Sequence, residues 1–184
     1  MRRLELVLAF TLVGGGAALA EVPNSSGRME QSNAAGDRDF VDKAAAGGMA
    51  EVKLSKLAMD RGQSTDVKQF ARKMVEDHTK ANTELKQIAE KKNLALPTKL
   101  DDAHQSAYDK LSKLEGAAFD KEYMRVMTDD HDDTVKLLKN EVQNGQDPQL
   151  KSFAMKTLPV VEKHDDMAHM DKDAMKSGVM NQRK

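Results

Sequence analysis

The sequence predicts an all-α protein, a four-helix bundle with a short additional helix in one connection. Three observations carry that expectation. Apolar residues recur at three- and four-residue spacing in four long runs, capping and breaking residues separate the runs, and no stretch reads as a strand. One short pattern also occurs twice in mid-run, as Met74-Val75-Glu76-Asp77-His78 and Met127-Thr128-Asp129-Asp130-His131. Residues four apart share a helix face, so each run turns an imidazole to the same side as its apolar stripe.

The first helix is expected from about Asp37 to Arg61, with Phe40, Val41, Ala44, Leu54, Leu57 and Ala58 facing inward and Gly62 as a left-handed cap. Gly47 and Gly48 weaken it by roughly 1 kcal/mol each, unless they admit a neighbouring backbone. Glu51 lies one turn on, at or beside the apolar face. Ser64 can cap a second helix reaching about Lys92, in which Val67, Phe70, Ala71, Met74, Ala81, Leu85 and Ile88 form the stripe. His78 stands where an apolar residue would continue that stripe. Asn93 to Leu100, with Pro97, breaks the helix.

Residues 101–115 carry Ala103, Ala107, Leu111 and Leu114 on one side and end at Gly116. They read either as a crossover helix or as the opening turns of the next long one, and the two choices give the second helix pair opposite directions. The third long helix covers about Ala117 to Gln143, with Phe119, Tyr123, Met127, His131 and Leu138 inward. Asp147-Pro148 starts the fourth, which turns Leu150, Phe153, Ala154, Leu158, Val161 and His164 inward. Pro159 removes the donor for the Met155 carbonyl and predicts a bend one turn before His164.

The first twenty residues read as a signal peptide: Arg2 and Arg3, an apolar core over Leu6 to Leu12, and Ala18-Leu19-Ala20 as a small-residue cleavage signature. The expected location is therefore periplasmic or secreted, with no stable transmembrane span after processing. Processing removes Arg2, Arg3 and Glu5 and takes the net charge from −1 to about −2, which gives no reason to expect a nucleic-acid partner. The chain has no cysteine, so disulfides, thiolate ligands and thiol catalysis are excluded. Residues 21–36 read as a polar flexible linker, 37–170 as one bundle domain and 171–184 as a polar tail.

Glu51, His78, His131 and His164 come from four different helices. Within each hairpin the two polar residues match in height to about one turn, so the four can meet if the hairpins are in register. Together they offer nitrogen and oxygen donors suited to a single ion of zinc, iron, manganese or copper. The same residues can instead satisfy one another as a buried polar network that sets helix register, in which case the protein is a non-enzymatic envelope or stress-associated protein with a protein partner. Asp77 and Asp130 point about 100° away from the histidines that follow them and suit the holding of a neighbouring imidazole. Methionine four residues before two histidines invites copper, although 12 methionines in a helical chain also serve as core filling. There is no phosphate loop, no nucleophile elbow and no His-Glu-x-x-His motif, so no catalytic class is indicated.

Several stretches together resemble one family: Phe40-Val41 with Ala44 through Glu51, Phe70-Ala71-Arg72-Lys73-Met74 followed by Asp77-His78, Phe119-Asp120 with Tyr123, Met127 and Asp130-His131, and Phe153-Ala154 through Leu158-Pro159 and His164. The chain resembles, over about residues 37–170, the exported bacterial proteins of the domain-of-unknown-function family numbered 4142. That resemblance implies a ferritin-like four-helix bundle with a long crossover containing residues 101–115. It does not imply ferritin's di-iron chemistry. Di-iron bundles place Glu three residues before His on two helices, whereas Val75, Thr128 and Val161 occupy those positions here.

Overall fold

The computed structural model describes the backbone of residues 25–176 and the side chains of residues 36–173. Among the described residues there are five helices and no strand: α1 (Ser25–Arg61), α2 (Thr65–Lys91), α3 (Asp102–Leu111), α4 (Gly116–Asn144) and α5 (Pro148–Lys176). The expected signal peptide lies outside the described residues. The segment expected to be a linker is helical from Ser25 onward, and α5 likewise continues beyond residue 170. Both expectations rested on the lack of an apolar stripe. Once a packed helix exists, each added residue gains a hydrogen bond without a new nucleus, so helix can extend past the residues that carry the apolar stripe.

Contacts along the helices fix the topology. Ser55 meets Tyr123 and Gln63 meets Asp120, so α1 and α4 run antiparallel. Asp77 meets His164, Glu84 meets Lys156 and Lys92 meets Asp147, so α2 and α5 do likewise. With α1–α2 and α4–α5 as antiparallel hairpins, α2 and α4 point the same way. The chain must therefore travel back along the bundle between them, and α3 lies in that return. This settles residues 101–115 as a crossover helix, in a ferritin-like four-helix bundle.

The ends of the elements follow local chemistry. Ser64, Asp101 and Asp147 cap α2, α3 and α5 by accepting hydrogen bonds from Asp66, His104, and Gln149 and Leu150 backbone N–H groups, respectively. Helix α2 closes with Asn93 in the left-handed region (φ 54°), Leu94 N–H donating to the Ala89 carbonyl and Asn93 N–H to the Glu90 carbonyl. Gly116, the first residue of α4, takes a left-handed φ of 61°. Gly62 departs from expectation, because it is not left-handed; what it supplies is room, since a Cβ there would lie 2.6 Å from the Ala58 carbonyl oxygen. Gly48 does admit a neighbour, the Asn82 side chain of α2, while a Cβ on Gly47 would meet nothing. Helix α5 passes unbroken through Pro159, whose ring is on the exposed side.

Two apolar clusters fill the bundle. One contains Leu54, Phe70, Met74, Leu111, Phe119, Tyr123 and Met127, where α1 ends and α4 begins; the other contains Phe40, Val41, Leu85, Leu138, Leu150 and Phe153 at the far end. The interval between them on every long helix is the one that carries Glu51, His78, His131 and His164, so a polar layer divides the core.

Glu141 is another buried acid, only 3% exposed. Burial first, and then the charges of Asp37 and Asp147, push its carboxyl up to about 7. The folded state thus keeps a proton that the unfolded chain releases between about pH 4.5 and 7, and stability falls as pH rises through that window. Glu141→Gln cannot ionise. Its urea midpoint is expected to match the parent near pH 4 and to exceed it at pH 8, and equal midpoints at pH 8 would show that Glu141 ionises freely in the fold.

Candidate metal centre

All four polar residues singled out in the sequence converge in the layer between the two apolar clusters. Glu51 is 1% exposed, His78 5%, and His131 and His164 are fully buried. The ring centroids lie 5.5 Å apart for His78 and His131, 5.3 Å for His78 and His164, and 5.7 Å for His131 and His164. Each of the three offers a ring nitrogen, and those ligand atoms all fall within 4.8 Å of one another. A cluster of imidazole nitrogens at that spacing is able to hold a transition-metal ion.

The other ring nitrogens are held from behind. His78 Nδ1 lies 2.7 Å from Glu51 Oε2 and donates to it. His131 Nδ1 lies 2.8 Å from the Met127 carbonyl; a carbonyl only accepts, so Nδ1 carries the proton and Nε2 is the bare nitrogen. His164 Nε2 lies 2.9 Å from Asp77 Oδ2, which also takes a hydrogen bond from Lys73, leaving His164 Nδ1 to face His78 Nε2 at 3.3 Å. Asp77 thus performs the holding task that its position before a histidine suggested, on the imidazole of another helix. Asp130 instead has the His104 ring of α3 at 3.9 Å, and burial pushes its carboxyl up to about 6.

Electrostatics divide the cluster into one ion pair and two neutral rings. Burial would raise the Glu51 carboxyl, but the imidazoles of His78 and His131 outweigh it and bring it down to about 2. Burial would lower His78, yet Glu51 raises it overall. His131 is held below the ordinary histidine value chiefly by burial, and His164 is lowered to about 4 by burial and the neighbouring His78 charge. Two buried atoms of the layer, His131 Nε2 and Glu51 Oε1, have no hydrogen-bond partner.

Some neighbours of this layer were not evident from the sequence. The Met127 carbonyl is one, although its i−4 relation to His131 was there to be read. Ser55 is another: it meets the Tyr123 hydroxyl at 2.8 Å inside the core and satisfies it beside Glu51. Nothing in its position marked Ser55 as buried.

The profile of a domain of unknown function, DUF4142, matches residues 22–170. The chain belongs to that family. Solved structures similar to this DUF4142 chain are helical. A DUF305 protein of Streptomyces coelicolor assigned as secreted aligns at 18% identity and TM-score 0.62, covering 72% of this chain and 88% of that one. CopM in its Cu(II)-bound form aligns at 16% identity and TM-score 0.64, covering 74% of this DUF4142 chain and 95% of CopM. Its Cu(I)-bound form aligns at 16% and 0.57, covering 80% and 98%. Identities this low establish a shared fold. No curated protein matches the chain. Among the described residues, no helix is long and apolar enough to cross a membrane.

Proposed function

We propose that this DUF4142 protein is an exported binder of one transition-metal ion, held by His78, His131 and His164 inside the bundle. The observation that carries the reading is the pairing of roles within each ring. One nitrogen is anchored to Glu51, the Met127 carbonyl or Asp77, and the other faces the shared interior. Metal-binding histidines are ordinarily fixed in this way, because an acceptor on the far nitrogen sets the tautomer and the ring angle. Glu51, expected among the ligands, lies on the Nδ1 side of both His78 and His131 and acts here as the orienting carboxylate. The bare Nε2 of His131, buried without a partner, is what an ion would satisfy.

Three imidazoles suit copper and zinc better than manganese, which favours carboxylate and water. CopM is described in Cu(II)-, Cu(I)- and Ag-bound forms on a similar fold, which makes copper the first ion to load. No residue near the cluster suggests a substrate. In the competing reading the cluster is structural, in a non-enzymatic envelope or stress-associated protein with a protein partner. The Glu51–His78 ion pair favours it, because a protonated His78 can donate from both nitrogens, to Glu51 and to His164, and needs no ion.

Element analysis of protein folded with copper or zinc supplied separates the two. About one equivalent is expected, falling below about a tenth in the His78→Ala, His131→Ala double variant. A parent protein that retains less than about a tenth of an equivalent would sink the metal reading and leave the structural one.

A further inference from the structure

A groove of about 460 Å³ runs along the outside of the α1–α2 hairpin, within the size range of small-molecule sites, about 300–1,000 Å³. Val52 and Lys53 follow Glu51, and Thr79 follows His78, so the groove lies on the solvent side of the wall whose inner face carries the polar layer. Its floor is apolar: Ala45 and Leu85 are buried, while Met49, Val52, Leu96 and Pro97 are half-buried. Leu96 and Pro97 close one end. They belong to the segment after α2, which is pinned by Leu94 N–H donating to the Ala89 carbonyl at 2.9 Å and by the Arg38 guanidinium donating to the Ala95 carbonyl at 3.0 Å.

The charges are one-sided. Three lysines and no acid line the groove. Lys86 has Glu90 at 3.8 Å, whereas among the described residues neither Lys53 nor Lys56 has an acidic partner. Because α1 and α2 run antiparallel with Glu51 level with His78, Lys53, Lys56 and Thr79 fall at the end away from Leu96 and Pro97. The groove is thus polarised, with two uncompensated ammonium groups and a hydroxyl at one end and hydrocarbon at the other. From Ala45 to Lys56 the helix rises about 16 Å, long enough for an alkyl chain of about a dozen carbons.

We propose that this groove binds a long-chain fatty acid, its carboxylate between Lys53 and Lys56 and its tail laid over Val52, Met49 and Leu85 towards Leu96. An uncharged lipid would leave the two ammonium groups unmatched, and a small polar anion would leave the apolar floor in water. The site does not depend on the buried histidines holding metal.

The test is titration calorimetry with laurate, kept below its micelle concentration, at about pH 8 and low salt. It uses the parent, Lys53→Glu with Lys56→Glu, and Lys121→Glu with Lys163→Glu, the last pair changing the net charge equally at exposed positions of α4 and α5. Circular dichroism first shows each to be helical, and Lys53→Gln with Lys56→Gln replaces the groove variant if that fails to fold. The parent is expected to bind about one laurate per chain, the groove variant at least about tenfold more weakly, and the control variant as the parent does. Dodecanol, with the same tail and no charge, is expected to bind the parent at least about tenfold more weakly than laurate. No saturable uptake by the parent overturns the proposal, whether the groove then proves to hold an acidic peptide or a second copy of the chain. Unchanged affinity in the groove variant, equal loss in both variants, or dodecanol binding as tightly as laurate overturns it as well.

Discussion

Glu51→Ala is expected to destabilise the metal-free protein by about 3–5 kcal/mol, the range for removing one partner of a buried ion pair. Glu51 and His78 are 2.7 Å apart with side chains 2% and 6% exposed, so neither can turn to water once the other is gone. In a chain of this size the loss corresponds to a drop in melting temperature of roughly 10 °C. Ion binding should weaken as well, by about 10–100-fold, because His78 loses the acceptor that fixes its ring. Glu51→Gln keeps an acceptor without the charge and should fall between the two. Thermal melts by circular dichroism, with and without copper, check both parts. A Glu51→Ala protein that melts like its parent would mean that the carboxylate and the imidazole are not paired in solution.

Asp120→Ala is the other substitution with a large expected effect, and it acts far from the polar layer. Asp120 is 5% exposed on α4 and accepts from two backbone N–H groups of the α1–α2 turn, Gln63 at 2.9 Å and Ser64 at 2.8 Å. The carboxylate therefore ties the start of the second hairpin to the turn of the first. Hydrogen bonds to a charged group contribute about 1.5–3 kcal/mol each. Because water can reach part of the turn, a total loss of about 3 kcal/mol is expected rather than the full sum. Asp120→Asn retains one acceptor and should lose about half as much. Hydrogen exchange at the Gln63 and Ser64 amides reports the change directly: these amides should exchange faster in the alanine variant, and unchanged rates would refute the tie.

The buried histidines were legible in the sequence because each replaces an apolar residue in a stripe of period 3.6, and a polar residue in that place must meet something. The same argument located Glu51. What the stripes could not supply was the height of one hairpin against the other, which depends on the direction of the return between α2 and α4. That direction rests on α3 packing Leu111 into the core beside Phe119, a long-range choice with no local signature. Asp120 and Glu141 were illegible for a related reason. In a chain with 30 acidic residues, an acid on a helix is read as solvated unless a partner can be named, and their surroundings come from distant segments. The helical stretch before Asp37 was missed because its polar sequence, with paired serines and Gly27 after Pro23, carries no periodic apolar trace. Asp77 was half legible: its angular offset suggested a neighbouring helix, and the structure supplies His164.

The parallel run of α2 and α4 has a kinetic consequence. His78 belongs to the first half of the chain, whereas His131 and His164 belong to the second, so neither hairpin alone assembles three nitrogens. An ion lodged there would act as a rivet through both halves. The two hairpins could then no longer slide or part independently, and dissociation of the ion would become the gate through which the bundle opens.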